Sequence, residues 1–317
     1  MPLSRTPITA GLTAVALSAT LSAGLLAAPA AAAPRSGVPQ VDLVTGSLPE
    51  GIATGPAGTF FAGARAGGAI YSGDVRTGQL TQVVAGTAGT AAVGLVYDDR
   101  SGLLFVAGGG ARAGAGTGTV TAYRGSTVVY QRTIAGAGFL NDVVVTDRAA
   151  YFTDSFRASL VVVTLDAAGV PTGEPTLLPL TGDYVQPAGF GANGIRQLPS
   201  GDLLVVSGGV LYAVDPRTGV ADTIEVRGRQ LTAGDGLVLD GDTLYVVNGY
   251  GGDEVAVLRL SADGTRAQAV GVIRSAALDR PTTGALVDGS LYVVNGRFET
   301  LATTPDAPVY VTRLRTR

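Results

Sequence analysis

Six places along this 317-residue chain couple a candidate functional side chain to a small or acidic neighbour: Glu50-Gly51, Val93-Gly94, Asn141-Asp142, Asn193-Gly194, Asp235-Gly236 and Thr283-Gly284. If the leading residues hold equivalent positions in a closed ring, Glu50, Asn141, Asn193 and Asp235 bring four oxygen-bearing side chains to one point. Two anions and two neutral amides suit a hard divalent cation, with waters completing about six to eight ligands. Calcium is the leading choice; magnesium, manganese and zinc are also compatible. Without a cation, Glu50 and Asp235 would meet as like charges in a partly dry funnel. Asn and Asp before Gly also commonly start turns. Four polar residues at one phase, including a Glu with no turn preference, favour a shared site.

Missing residue types narrow the chemistry. The chain has no Cys and no His, and all 22 basic residues are Arg, because Lys is absent too. That removes the His-assisted nucleophile, the thiolate, the Schiff base and the Cys/His zinc site. Carboxylates, amides, hydroxyls, Arg and hard cations remain. A net charge of −3 without basic runs argues against nucleic acid as a partner.

The elements that must position these residues repeat. Each copy has a polar-plus-glycine start, a short strand, a turn, a second apolar strand and a third. Examples are Asn193-Gly194-Ile195 followed by Leu203-Leu204-Val205-Val206, and Asp235-Gly236-Leu237 followed by Leu244-Tyr245-Val246-Val247. The anchors at 51, 94, 142, 194, 236 and 284 lie 43, 48, 52, 42 and 48 residues apart. A four-stranded propeller blade repeats every 40 to 50 residues or so. A β-helix needs a shorter period, and a double sandwich would not explain six matched units. The expected fold is all-β, a six-bladed β-propeller over residues 40–317. Copy six has room for three strands, so Val41–Val44 should supply its outer strand and close the ring.

Residues 1–33 read as a secretory signal peptide: Arg5, an apolar stretch from Ile8 to Ala28, and a small-residue cleavage pattern near Ala32-Ala33. The competing reading is a retained anchor, against which the weakly hydrophobic core and the cleavage pattern both argue. The expected product is secreted and monomeric, free of the membrane after cleavage, and acts on a small-molecule substrate.

The chain resembles the gluconolactonase/regucalcin (senescence marker protein) family of six-bladed propellers, also labelled calcium-dependent phosphotriesterase-like. The residues carrying the likeness are Pro49-Glu50-Gly51, Phe139-Leu140-Asn141-Asp142, Asn193-Gly194-Ile195 and Asp235-Gly236-Leu237. The resemblance implies one divalent metal on Glu50, Asn193 and Asp235, with Asn141 near metal and substrate. It ranks Asp235 first as the catalytic base. Asp142 is a second candidate, although strand alternation should turn it away from Asn141. Sugar-acid lactonases carry Arg where this chain has Phe139, so the substrate-binding mouth should suit an acidic sugar less well. The implied activity is metal-dependent hydrolysis of a small lactone or ester. The alternative is a non-catalytic extracellular binding propeller with at most a structural metal.

Other features read as structural. The stretch Gly108–Gly118 lacks the Lys and the following helix of a phosphate loop, so it should be an inter-strand loop. Asp154, Asn248 and Asn295 should form turns, and Tyr184 and Phe190 either line the mouth or pack beneath a loop.

Overall fold

Runs such as Leu203-Leu204-Val205-Val206 are continuously apolar, the mark of a strand buried on both faces. In the computed structural model, Leu203 and Val205 join one core and Leu204 and Val206 the next, because alternate side chains leave opposite faces of the sheet. Six such cores fill six seams between neighbouring sheets. The structure describes residues 1–3, 37–110 and 116–316. The expected signal peptide and its cleavage point therefore lie almost wholly outside the described residues, as do positions 111–115 of the glycine-rich stretch. Among the described residues, no helix is long and apolar enough to cross a membrane.

Each repeat folds as four antiparallel strands. Blade one comprises Pro49–Thr54, Thr59–Ala64, Ile70–Asp74 and Leu80–Val84, and the remaining blades follow the same order. Innermost strands touch their neighbours in sequence order around the ring, and the sixth (Pro281–Val287) touches the first. Blade six takes its outer strand from the other end of the chain: Gln40–Asp42 pairs antiparallel with Tyr310–Leu314, Val41 opposite Val311. The expected closure holds. Two seams carry parallel pairing at their outer edge, the first where Thr181–Gly182, following blade three's outer strand, lies beside Val220–Ala221 of blade four. At the second, the outer strands of blades four and five pair in parallel, Glu225–Arg227 beside Arg266–Gln268, which fuses two blades into one larger sheet.

A local irregularity recurs where the candidate residues sit. In blade one, Pro49 faces Ala64 and Ile52 faces Ala62, so three residue steps on the inner strand match two on its neighbour. Blades two, three, four and six repeat this offset at Ala92/Leu95, Leu140/Val143, Ala192/Ile195 and Pro281/Gly284. In blade five, Asp235 N–H donates to Val247 O and Val247 N–H donates to Gly236 O, both at 2.9 Å, just ahead of the strand Leu237–Asp240. A β-bulge adds one residue, kinks the strand and re-aims a side chain. Here it turns the residue before each anchor toward the axis.

The glycine anchors are small because the inner strands crowd together. A Cβ on Gly51 would stand 1.8 Å from Val93 O, and one on Gly94 2.3 Å from Asn141 O, both backbone atoms that cannot swing aside. Gly51→Ala should destabilise the fold by about 3 kcal/mol or more, read as a lowered urea midpoint with an unchanged slope.

Candidate metal and substrate site at the channel mouth

The bulges bring the predicted residues together. Glu50, Asn141, Asn193 and Asp235 line one constriction of the central channel, with Asp142, Thr283 and the glycines Gly51, Gly94 and Gly236 beside them. The free space among them is about 10 Å³, room for a single water-sized particle. Val93, the apolar member of the six, lines it as well.

The Asn141 side chain and the backbone at the other three positions are held from behind. Asn141 is buried and donates Nδ2 to Ser155 Oγ at 3.0 Å, while Ser155 Oγ donates to Ala192 O at 2.8 Å. With its nitrogen so engaged, the amide has its acceptor oxygen to offer the cavity. Thr153 Oγ1 donates to Asn193 O at 2.7 Å, and Gly194 N–H donates to Asp235 O at 3.0 Å. These bonds fix neighbouring inner strands against each other. Thr282 Oγ1 does the same across the closing seam, donating to Glu50 O at 2.7 Å.

Three carboxylates approach this point in different states. Asp142 is buried and fully engaged: its Oδ2 accepts Arg196 Nη1 at 2.8 Å and Ile195 N–H at 3.1 Å, and its Oδ1 accepts Val143 N–H at 2.9 Å. Because the bulge breaks alternation, Asp142 borders the same cavity as Asn141 instead of facing away from it. Glu50 Oε2 accepts one bond from Arg65 Nη1 at 3.1 Å. Desolvation raises the Glu50 carboxyl above its ordinary range, and the Arg65 charge and hydrogen bond partly offset this. Asp235 is pushed well above the usual carboxylate range, first by desolvation and then by the nearby Glu50 charge, with a hydrogen bond from Asn193 opposing. Among the described residues, Asp235 is the one carboxylate of the three with no guanidinium partner.

A pH dependence follows. The folded chain keeps protons on Glu50 and Asp235 that the unfolded chain releases above about pH 4. With a chelator present, this contribution to stability should be full below that pH. It should decline as pH rises through the raised folded values. Urea midpoints across pH 4 to 8 or so check the sign, and a midpoint that rises with pH in Asp235→Asn relative to wild type would support it.

Above the constriction the channel widens into a cavity of about 250 Å³, walled by Arg65, Phe190, Tyr250 and Phe298, with Gly191, Gly208, Ala233 and Gly234 between them. Arg65 lies over the Phe298 ring at 5.0 Å, and Phe298 stacks on Tyr250 with centroids 6.3 Å apart. Phe139 does not line this cavity. It is buried with Ala91 and Val93, and its ring meets the edge of Phe190 at 5.6 Å. Phe190 is half-exposed and forms part of the wall, whereas Tyr184 packs inside against Tyr212. The one basic side chain lining this cavity is Arg65, from blade one.

The remaining candidates are structural. Asp154 accepts N–H bonds from Gly138, Phe139 and Phe156 in a turn. Asn295 ties Asp279 N–H to Thr312 Oγ1, and Asn248 donates to Thr232 Oγ1 at 3.4 Å.

The donor set passes a simple test of fit to a hard cation. All candidate ligands are oxygens, and of the two candidate carboxylates Glu50 is paired with Arg65 while Asp235 has no guanidinium partner among the described residues. Among the described residues, no group of three or more acidic side chains suited to a metal is present, so the amides would have to contribute as ligands.

Comparison with known proteins extends the fold and not the family. No family's sequence profile matches the chain, and no curated protein matches it. Solved structures do. The major Malassezia sympodialis allergen Mala s 1 superposes with a TM-score of 0.68 at 16% identity, covering 87% of this chain and 96% of the allergen. A streptogramin B lyase gives 0.54 at 13% identity over 87% and 97% of the two chains. A luciferin-regenerating enzyme gives 0.57 at 13% identity over 86% and 93%. At such identities the shared property is the propeller fold.

Proposed function

We propose that the chain is a secreted, monomeric hydrolase of a small lactone or ester, dependent on one divalent cation, and related in function to the gluconolactonase/regucalcin propellers. The observation that carries this reading is geometric. Two carboxylates and two amides, each on an inner-strand bulge of a different blade, converge beneath an apolar-walled cavity of substrate size. Glu50, Asn193 and Asp235 would hold the cation, calcium before magnesium, manganese or zinc. A cation there supplies carbonyl polarisation and acidifies a water.

The chain's own residues divide the remaining work. Arg65 holds Glu50, and Arg196 with two backbone N–H groups holds Asp142. Asp235 is left as the proton acceptor. Asn141, oriented by Ser155, presents its amide oxygen to the substrate side. Phe190, Tyr250 and Phe298 exclude water from the mouth, with Phe139 supporting Phe190 from below.

One observation favours a second reading, a binding propeller without turnover: arginines already balance two of the three carboxylates at the constriction, Arg65 on Glu50 and Arg196 on Asp142. Turnover separates the two. Calcium-dependent hydrolysis of a lactone and ester panel, reduced by a factor of about 10²–10⁴ in Asp235→Asn, supports the enzyme. Calcium binding without turnover of any panel member supports the binding protein.

A further inference from the structure

We infer that Arg65 is the exchangeable counter-ion of Glu50: when a divalent cation takes that carboxylate, Arg65 becomes the anchor for the carboxylate of a flat aromatic ligand in the mouth. The inference rests on the metal reading proposed above and assigns its order of binding and its ligand class.

The contact is built for exchange. Arg65 Nη1 meets Glu50 Oε2 through one bond at 3.1 Å, not the two-point fork a guanidinium can make, so four of its five N–H donors remain for others. The backbone stays put, because Arg65 N–H donates to Leu48 O at 3.2 Å, two residues before Glu50. Only the side chain has to turn. It is about a quarter exposed and opens onto the 250 Å³ cavity, where it is the one basic residue. A cation on Glu50 would stand close to a guanidinium that has just lost its carboxylate. Two like charges at that distance disfavour each other, and an incoming anion relieves both. Cation and anionic ligand must therefore strengthen each other's binding by the same factor.

The walls specify the rest of the ligand. Phe298 carries the guanidinium on its face, Tyr250 stacks beside it, and Phe190 is half-exposed. The intervening wall is Gly191, Gly208, Ala233 and Gly234, without a polar side chain, and the polar groups Glu50, Asn141, Asn193 and Asp235 are confined to the floor, where the cation would engage them. A polyhydroxylated sugar would leave the hydroxyls that face the walls unpaired, at about 1–3 kcal/mol each. A single aromatic ring with one carboxylate places its π faces on aromatic walls and its charge on Arg65. The cavity volume lies just under the range typical of drug-sized ligands, which limits the occupant to one or two fused rings.

Calcium titration by calorimetry on the full chain, with and without benzoate, tests this directly. Cyclohexanecarboxylate serves as the non-aromatic control and methyl benzoate as the uncharged one. In wild type, benzoate should tighten calcium binding about fivefold or more, and each control should do less. Arg65→Met should bind calcium about tenfold more tightly than wild type without benzoate, because its competitor is gone, and should lose the benzoate effect. Arg65→Lys, which keeps the charge without the fork, should fall between them and guards against a packing defect in Arg65→Met. Calcium binding that neither benzoate nor Arg65→Met alters overturns the exchange and leaves the metal site standing. No calcium uptake by wild type or Arg65→Met overturns the metal site, and the exchange with it.

Discussion

Calcium added to the wild-type protein should raise its unfolding temperature, and Asp235→Ala or Glu50→Ala should abolish the rise. A ligand that binds only the folded ring stabilises it by about 2.7 kcal/mol at a hundred times its dissociation constant. The ring is the only state in which Glu50, Asn193 and Asp235 share a space, since they come from blades one, four and five. Losing a partner that merely orients a metal ligand costs about 10–100-fold in affinity, so losing a carboxylate ligand must cost more. The two variants also differ from each other in the absence of calcium. Asp235→Ala removes a carboxylate that burial and the Glu50 charge both disfavour, so its metal-free melting temperature should equal or exceed that of wild type. Glu50→Ala strands the Arg65 guanidinium and should melt lower. Calcium stabilisation that survives in both variants would mean that any cation sits elsewhere.

Arg196→Met should be the most damaging single change near the channel, destabilising the fold by about 3–5 kcal/mol. Its partner Asp142 is buried, bordering a constriction that already holds Glu50 and Asp235. Removing the guanidinium leaves that carboxylate to two backbone N–H groups and to the repulsion of its neighbours. The Arg196 and Ile195 bonds to Asp142 both cross the blade three to blade four seam, so the loss is felt between blades. Adding Asp142→Asn in the Arg196→Met background should recover part of the stability, because a neutral amide still accepts a backbone bond without a buried charge. Urea unfolding of the two single variants and the pair supplies the coupling energy. An Arg196→Met protein as stable as wild type would show that the pair is a solvated contact with little net effect.

Much of this architecture was legible before any coordinates. The spacing of the six anchors implied six blades, which take the form of four four-stranded sheets and one nine-stranded sheet joining the fourth and fifth; Val41, left over ahead of the first repeat, implied the closing strand, and the pairing of Gln40–Asp42 with Tyr310–Leu314 bears that out. The convergence of Glu50, Asn141, Asn193 and Asp235 was legible because one position per repeat is a property of register alone. What escaped was whatever depends on a break in register or on pairing between distant segments. Alternation predicted that Asp142 turns away from Asn141, and the bulge places it on the same cavity. A Gly directly after a polar residue, as at Glu50-Gly51 and Asn193-Gly194, is a signal for the bulge in those blades, but blade three carries Asp142 at that position and has no such signal. Arg65 has no such signal. It follows the second strand of blade one like any surface residue, and only the fold lays it against Glu50, fifteen positions earlier. The motif resemblance puts Phe139 at the mouth, whereas Phe139 is buried and the ring beyond it, Phe190, is the one exposed there. The parallel seam between blades four and five was equally silent, since outer strands carry mixed, half-polar sequences such as Thr223-Ile224-Glu225-Val226.

The clasp between Gln40–Asp42 and Tyr310–Leu314 also dictates an order of assembly. Blades one to five are each contiguous in sequence and can form in turn as the chain is made, from contacts local to each repeat. Blade six cannot, because its outer strand precedes blade one in the chain and its third strand follows blade five. Closing a loop of that length is a late, entropically opposed step. It is also the step that brings Thr282 Oγ1 onto Glu50 O and completes the wall of the constriction. Ligand competence is thus a report on completed folding: a chain that has built five blades but not the clasp has most of its core and no site.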